Sequence, residues 1–287
     1  MKIVHSLWSK PMLTQDGTLG KTGWRHSQYF YMSWALSCLT FKELYKEVEL
    51  VTDAFGYNLL IDTLKLPYTS VKVVLDELNQ YPKELWAIGK LKAYEIQNEP
   101  FIHVDGDVYV WNSFGKTIEN ASLVSQQRDE DFGHYSHAMQ EALNHNYEFP
   151  DFLLEEFQNK QTMISSNAGI IGGNDIEFIK KYCKASFEII DKNLNKPRFN
   201  GTSYALLYEQ YLFHCLAKQQ EKSIAYYLEN KPDKSEESHT FFNKYTQKKK
   251  FVHLLSMRKN EMEYCYDLRD QLKTNYPAYY EIIKNLA

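Results

Sequence analysis

The stretch of sequence that decides the fold is FIHVDGDVYV, residues 101–110. An apolar run ends in two aspartates separated by one glycine, and a second apolar run follows them. In an open parallel sheet, ligands bind beyond the carboxyl ends of the strands, which is where Asp105 and Asp107 would lie. A strand directs residues i and i+2 to the same side, and Gly106 lets the backbone bend and a ligand approach closely. The pattern therefore predicts a strand that ends in two neighbouring carboxylates.

Two neighbouring carboxylates repel each other unless a cation lies between them. Mg²⁺ and Mn²⁺ prefer oxygen ligands and also bind phosphate oxygens, so the pair suggests a divalent cation bound together with a diphosphate. A tight Asp-Gly turn between two hairpin strands is the alternative explanation. The residues of this stretch leave both interpretations open.

The segments around this stretch alternate between predicted strands and predicted helices. Strands are predicted for residues 2–8, 47–51, 70–75 and 101–104, and helices for residues 29–44, 57–64 and 84–97. This alternation indicates an α/β protein with a mostly parallel central sheet flanked by helices. Later in the chain we predict a strand over residues 165–173 and helices over residues 175–193, 202–218 and 260–286. We expect one domain over residues 1–287, with a nucleotide-binding half (1–112) and an acceptor half with a C-terminal helix (113–287).

Composition and charge argue against several classes of protein. The 287 residues are 44% hydrophobic and carry a formal net charge of −4, which gives no basic field for nucleic acid. The four cysteines are scattered, without the spacing of a zinc site or a disulfide framework. No segment is as apolar as a signal peptide or a membrane span. We therefore expect a cytoplasmic protein without a membrane-spanning helix, and peripheral membrane association stays open.

The Asp-Gly-Asp segment, residues 105–107, resembles the DxD motif of GT-A fold glycosyltransferases, which use sugar nucleotides. As in those enzymes, it follows several βα units and a helix with a basic residue, here Lys90 in WAIGKLKAY, residues 86–94. The resemblance implies a GT-A fold, bound Mn²⁺ or Mg²⁺, and a nucleotide-sugar donor with uridine as its base. It also implies that Asp105 and Asp107 bind the metal and donor, and that Lys90 contacts the diphosphate or ribose.

A second resemblance lies in SSNAGIIGGN, residues 165–174. It is similar to the strand-to-glycine segment of two retaining GT-A families, the glycogenin family and the blood-group A and B transferase family. Those families place a contact to the donor sugar and the acceptor at its start, which implies a catalytic role for Asn167. They place a tight turn at its end, which implies that Gly173 keeps the floor of the donor site free of side chains. A core strand that ends in a glycine turn explains the same residues.

Two later segments resemble the same families. In LLYEQYLF, residues 206–213, Glu209 matches the acid that faces the donor sugar, and an acid inside an apolar helix is costly to bury without a purpose. In KFVHL, residues 250–254, His253 matches the histidine that is the third metal ligand of the glycogenin family. The lysine and glycine that follow that histidine in the family are not matched here. Arg258 and Lys259 are the cations that could take their place at a diphosphate.

Together these features predict a metal-dependent glycosyltransferase that moves a hexose-type sugar from a nucleoside-diphosphate donor to a hydroxyl acceptor. The resemblance implies transfer with retention of anomeric configuration, with Glu209 and Asn167 as the catalytic residues. Asp53 follows the second strand and would hold the base or ribose, and a solvated turn aspartate is the alternative for this residue. Two other functions stay open. One is a nucleotidyltransferase that uses the same carboxylate pair, and the other is a non-catalytic protein that binds sugar nucleotides or glycans.

Overall fold

The structure is a computed structural model that describes residues 1–20, 22–131, 133–159, 162–228 and 250–286. The strands in these ranges are β1 (Lys2–Leu7), β2 (Val48–Thr52), β3 (Ser70–Val73), β4 (Phe101–Val104), β5 (Val108–Val110), β6 (Leu123–Glu130), β7 (Ile164–Ser166), β8 (Ile170–Gly173), β9 (Ile224–Leu228) and β10 (Phe251–His253). The α-helices are α1 (Ser27–Leu44), α2 (Ala54–Tyr57), α3 (Ile88–Glu95), α4 (Lys116–Glu119), α5 (His134–Asn144), α6 (Asp151–Asn159), α7 (Ile176–Asn193), α8 (Gly201–Ala205), α9 (Leu212–Gln219), α10 (Met262–Asn275) and α11 (Pro277–Lys284). Two π-helical segments, Asn58–Thr63 and Leu206–Tyr211, continue α2 and join α8 to α9.

The chain divides into two compact units whose segments interleave along the sequence. Unit 1 contains the described residues of 1–77, 104–113 and 232–287, and unit 2 contains those of 78–103 and 114–231. The sequence predicted a nucleotide-binding half before residue 112 and an acceptor half after it. These halves were defined by function, and they stay a prediction.

Unit 1 is built on parallel strands. β1 pairs with β2 so that Ile3 lies opposite Val48, and β2 pairs with β3 so that Leu50 lies opposite Val71. Every residue of β2 is buried, as expected for a parallel strand that is covered on both faces. Helix α1 packs against β2, β5, α10 and α11. Strands β5 and β10 form a separate antiparallel pair, which sets Val108 opposite His253.

Unit 2 contains strands β4, β8, β6 and β7 in that order, and β9 pairs with β6. Strand β6 is antiparallel to β7 and β8 and parallel to β9. Helix α7 packs against α3, α9 and the second π-helical segment, and the rings of Phe178 and Tyr182 meet Phe213 edge to face. These aromatic contacts fix the helical segment that carries Glu209.

Two glycines at the end of β8 let neighbouring backbones approach closely. Gly172 and Gly173 have φ angles of 154° and 132°, which side chains rarely tolerate. A Cβ atom on Gly172 would lie 2.3 Å from the carbonyl oxygen of Phe101, and one on Gly173 would lie 2.2 Å from that of Ser122. Packing within unit 2 therefore accounts for both glycines, and the donor contact expected of Gly173 stays a prediction.

The predicted α/β class, with a mostly parallel sheet flanked by helices, is confirmed. The hairpin alternative for residues 101–110 is wrong, because β4 and β5 belong to different sheets and β5 pairs with β10.

Two predicted elements are each divided in two. The strand over residues 165–173 breaks at Asn167, whose side-chain oxygen accepts a hydrogen bond from the backbone of Gly169 and holds a turn there. The helix over residues 260–286 breaks before Pro277, which lacks an N–H group and starts α11.

In the part of the chain that the structure describes, no helix has both the length and the apolar character needed to cross a membrane.

Candidate active site

The aspartates that follow β4 and the histidine that ends β10 come together in unit 1. One ligand atom from each of Asp105, Asp107 and His253 lies within 4.8 Å of the other two. The pairing of β10 with β5 brings His253 here, and the backbone N–H of Leu254 donates to the carbonyl of Asp107 over 3.0 Å. The structure thus brings together the three residues that the sequence predicted as metal ligands.

Close packing around Gly106 shapes the turn that carries the two aspartates. The backbone N–H of Val108 donates to the carbonyl of Asp105 over 3.1 Å, and the hydroxyl of Ser33 donates to the carbonyl of Gly106 over 2.7 Å. A Cβ atom on Gly106 would lie 2.6 Å from the indole ring of Trp34, so a side chain cannot be accommodated without movement. The glycine is therefore required by packing against α1.

Asp107 faces one ammonium and one imidazole, and it is only 9% exposed. Its Oδ2 forms an ion pair with Nζ of Lys259, and its Oδ1 lies 3.4 Å from Nε2 of His253. Burial raises the pKa of the Asp107 carboxyl, but the Lys259 charge and the contact with His253 lower it by more, so its pKa lies well below the ordinary value. Asp107 is consequently held as a carboxylate.

The chemistry of these three side chains fits a divalent cation. Two carboxylates and one imidazole are ligands that Mn²⁺ accepts, and the carboxylates together with phosphate oxygens suit Mg²⁺. The nearly complete burial of His253 and of Asp107 gives the ligands fixed positions. The three residues therefore form a candidate metal centre.

Lys259 is held at this centre by the loop that precedes α1. It lies in a 3₁₀-helix, Ser256–Asn260, and its carbonyl accepts a hydrogen bond from the backbone N–H of Arg25 over 3.1 Å. The guanidinium of Arg25 donates to the carbonyl of Asn260 over 3.3 Å. The Lys259 ammonium lies 5.8 Å from the centre of the Trp24 ring, a cation–π distance. Arg258, which was also expected to face a diphosphate, donates a hydrogen bond to the hydroxyl of Tyr264.

Asp53 is a buried helix cap. Its Oδ1 accepts a hydrogen bond from the backbone of Gly56 at the start of α2, over 2.8 Å. Its Oδ2 accepts from both the backbone N–H and the hydroxyl of Ser9, over 2.6 and 2.7 Å. The alternative of a solvated turn aspartate is wrong, because Asp53 is 3% exposed. The predicted contact of Asp53 with a base or ribose stays a prediction.

In unit 2, Glu209 forms a buried ion pair. Its side chain is fully buried, and its Oε1 lies 3.2 Å from Nζ of Lys90 on α3. The Lys90 ammonium also lies 5.5 Å from the centre of the Trp86 ring. Two hydroxyls of α7, those of Tyr182 and Ser186, donate to backbone carbonyls of the π-helical segment that carries Glu209. π-helical turns are frequent at functional sites, and here the turn holds a charge inside the unit.

A set of polar side chains in unit 2, which we name the Asp129 cluster, consists of Gln127, Asp129, Tyr135, Asn167 and Gln210. The Gln127 amide donates to Asp129 Oδ1 over 2.7 Å, and the Asn167 amide reaches Asp129 Oδ2 over 3.4 Å. The Tyr135 hydroxyl lies 2.7 Å from Gln210 Oε1 and 3.3 Å from Asp129 Oδ2. Burial raises the pKa of Tyr135 well above its ordinary value, so its hydroxyl stays a donor. The cluster presents amide, carboxylate and hydroxyl groups together.

Four members of this cluster were not singled out from the sequence. Gln127 and Asp129 occupy alternate positions of β6 and therefore share one face of that strand. That spacing was the available signal in the sequence. Gln210 directly follows Glu209, and it is half-buried where Glu209 is fully enclosed.

The fold and the site define an α/β protein with a candidate carboxylate–histidine metal centre. The chain belongs to a family of unknown function (DUF6734), whose model matches residues 1–286. No curated protein matches this chain.

Several solved structures are similar to it. The galactosyltransferase LgtC in complex with donor and acceptor sugar analogs is 12% identical, over 73% of this chain and 71% of that chain, with a TM-score of 0.37. Mouse xyloside xylosyltransferase 1 is 9% identical, over 78% of this chain and 84% of that chain, with a TM-score of 0.40. The glycosyltransferase GlyE of Streptococcus pneumoniae TIGR4 is 9% identical, over 89% of this chain and 55% of that chain, with a TM-score of 0.42. These TM-scores are too low to carry an argument about fold or activity.

The cap formed by Asp53 can be tested by its contribution to stability. We expect Asp53→Ala to lower the free energy of unfolding by ~2–4 kcal/mol, because it removes an N-cap and leaves buried donors of Ser9 without their acceptor. Urea denaturation measures this loss. The exposed Asp62 provides a matched control, and Asp62→Ala should change stability by less than ~0.5 kcal/mol. Equal stability of the two variants would contradict the structural role of Asp53.

Proposed function

We propose that this protein is a metal-dependent glycosyltransferase that moves a sugar from a nucleoside-diphosphate donor to a hydroxyl acceptor. The observation that carries the proposal is the convergence of Asp105, Asp107 and His253, whose ligand atoms lie within 4.8 Å of one another. The order of the motifs along the chain, which resembles that of retaining GT-A enzymes, supports uridine as the base of the donor and a hexose as the transferred sugar.

In unit 1, we assign Asp105, Asp107 and His253 to hold Mn²⁺ or Mg²⁺. When bound, such a cation neutralises the charge that develops on the diphosphate as it leaves the sugar. Asp107 is suited to this role because Lys259 and His253 keep its pKa low, so that it stays ionised. Asp105 lies beside it and is partly exposed, which leaves it accessible to a ligand.

In unit 2, we assign the Asp129 cluster to the hydroxyl groups of a sugar. Carboxylates accept hydrogen bonds from hydroxyls, and amides both donate and accept, so this set of side chains can orient a polyol. Asn167 belongs to the cluster, which supports the catalytic contact expected of it. Gln210 belongs to it as well, and it is the more accessible neighbour of Glu209.

Glu209 has a different role in this proposal. Its carboxylate is fully buried and faces the Lys90 ammonium, so its charge acts through space and through Lys90. We therefore assign it an electrostatic role in place of a covalent bond to the sugar. Lys90, expected to contact the diphosphate or ribose, is the group whose position the Glu209 charge sets.

The transfer proposed here retains the anomeric configuration. The bond between the anomeric carbon and the diphosphate oxygen breaks, and its electron pair leaves with the phosphate. The acceptor oxygen forms the new bond from the same face, and its proton moves to the departing phosphate oxygen. Retention rests on the resemblance of the segments around Asn167, Glu209 and His253 to retaining families. The cytoplasmic location expected from the cysteine pattern remains a prediction.

The metal centre can be tested by nucleotide binding. We expect UDP to bind the wild-type protein in the presence of Mn²⁺, and a ligand at ~100 Kd to stabilise the fold by ~2.7 kcal/mol, which a melting curve detects. Asp107→Ala should abolish this shift and leave the protein folded, because it removes a metal ligand at the end of a strand. Asp62→Ala is the matched control and should keep the shift. An unchanged Mn²⁺ dependence in Asp107→Ala would overturn the assignment.

The products distinguish the proposal from its alternatives. With Mn²⁺ and a panel of UDP-hexoses, slow release of free UDP supports a glycosyltransferase. Release of pyrophosphate from a nucleoside triphosphate would instead indicate a nucleotidyltransferase. Donor binding with no product under either condition would indicate a binding protein.

The electrostatic role of Glu209 predicts a loss of turnover without a loss of binding. Glu209→Gln keeps the shape of the side chain and removes its charge, so UDP release from a UDP-hexose should fall by ~10²-fold or more while UDP affinity is kept. The control is Glu95→Gln, which removes a partly exposed acid that pairs with Lys92 on the same helix, α3. Wild-type turnover in Glu209→Gln would remove Glu209 from the mechanism.

A further inference from the structure

The Lys259 ammonium and the candidate metal require the same carboxylate. Lys259 forms an ion pair with Oδ2 of Asp107, while His253 faces Oδ1 of the same residue at 3.4 Å. Both oxygens of Asp107 therefore already face a nitrogen of the chain. A divalent cation bound by Asp107 would lie close to the positive charge of Lys259, and like charges at such distances repel.

The arrangement around Lys259 lets its ammonium move while its backbone stays in place. Hydrogen bonds from Arg25 to the carbonyls of Lys259 and Asn260, and from the Asn260 amide to the carbonyl of Gly23, hold the 3₁₀-helix. The lysine side chain itself is 22% exposed and ends on a flexible four-carbon stem. Its charge can thus leave Asp107 without unfolding of the segment.

A diphosphate changes this balance of charges. Its oxygens bring negative charge to a centre that otherwise holds a divalent cation and a lysine, and an ammonium binds phosphate oxygens well. The Lys259 charge therefore disfavours binding of the metal alone. It favours binding of the metal together with a diphosphate, because the ammonium is attracted to the phosphate oxygens.

We propose that Lys259 couples metal binding to diphosphate binding: it weakens the affinity for the divalent cation alone and strengthens the complex that contains both. This inference rests on the proposed function, because it takes the metal centre and a nucleoside diphosphate from it. Coupling between two ligands is reciprocal, so Mn²⁺ raises the affinity for UDP by the same factor by which UDP raises the affinity for Mn²⁺.

The test is a calorimetric titration of Mn²⁺ into the protein with and without saturating UDP. In the wild type, we expect UDP to tighten Mn²⁺ binding by ~10- to 100-fold, within the usual range of coupling factors. In Lys259→Met, we expect the affinity for Mn²⁺ alone to rise and the affinity for UDP in the presence of Mn²⁺ to fall. Mn²⁺ alone should bind ~10-fold more tightly, and UDP in the presence of Mn²⁺ should bind ~10-fold more weakly, because a like charge is removed from the metal and a cation from the diphosphate.

Two further variants make the result specific. Lys259→Arg keeps the charge and should keep the weak binding of Mn²⁺ alone. Lys72→Met removes a lysine of the same unit that pairs with Glu49, and it should leave both affinities unchanged. A purely structural role for Lys259 would lower both affinities in Lys259→Met together.

The outcomes separate this inference from the proposed function. If wild-type protein binds Mn²⁺ and UDP but Lys259→Met binds Mn²⁺ alone no more tightly, the coupling role of Lys259 is wrong and the metal centre stands. If the wild type binds neither Mn²⁺ nor UDP, the proposed function is wrong and the coupling role falls with it.

Discussion

The contact between the Trp34 ring and the backbone of Gly106 is the constraint on which the candidate metal centre depends. No side chain fits at residue 106, since its Cβ atom would lie 2.6 Å from the indole, and the hydroxyl of Ser33 holds the carbonyl of the same residue. Helix α1 thereby fixes a tight turn directly after β4. The flanking aspartates take their positions from that turn, and β10 adds His253 by pairing with the strand that follows it.

Each unit balances a buried negative charge with a lysine, and the two pairs differ in accessibility. The Glu209 side chain is fully buried, and its partner Lys90 is 12% exposed. Asp107 retains some exposure. In its partner Lys259, a hydrogen bond holds the backbone in place, and the side chain is partly exposed. A carboxylate with no exposure suits a fixed electrostatic role, whereas a partly exposed carboxylate can exchange one cation for another.

Local sequence patterns were sufficient for most of the elements, and the segments that resemble known families picked out the three residues of the candidate metal centre. The alternation of apolar runs located the strands on either side of residues 105–107, because strand and helix periods are properties of short segments. The same information could not decide the role of Asp53, since a carboxylate that follows a strand can cap a helix or bind a ligand equally well. The contacts that make Asp53 a buried cap, from Ser9 and Gly56, depend on how the chain packs.

The Asp129 cluster escaped sequence reasoning for a related reason. Its members come from β6, α5, the turn at Asn167 and the π-helical segment, and only tertiary packing brings them together. Asn167 was found through a resemblance, whereas Gln127 and Tyr135 lie outside the segments that resemble known families. The ion pair between Lys259 and Asp107 was also beyond prediction, because a lysine that follows a candidate metal ligand in sequence can face a diphosphate or a carboxylate.

The central claim, that Asp105, Asp107 and His253 hold one divalent cation, is tested most directly by anomalous diffraction at the manganese edge. Crystals of the full chain grown with Mn²⁺ and UDP would be used. We expect one strong anomalous peak in contact with all three side chains, and the Lys259 ammonium displaced from Asp107. The claim would be contradicted by an anomalous map without a peak at these residues, with Lys259 still paired to Asp107, in crystals where UDP is bound.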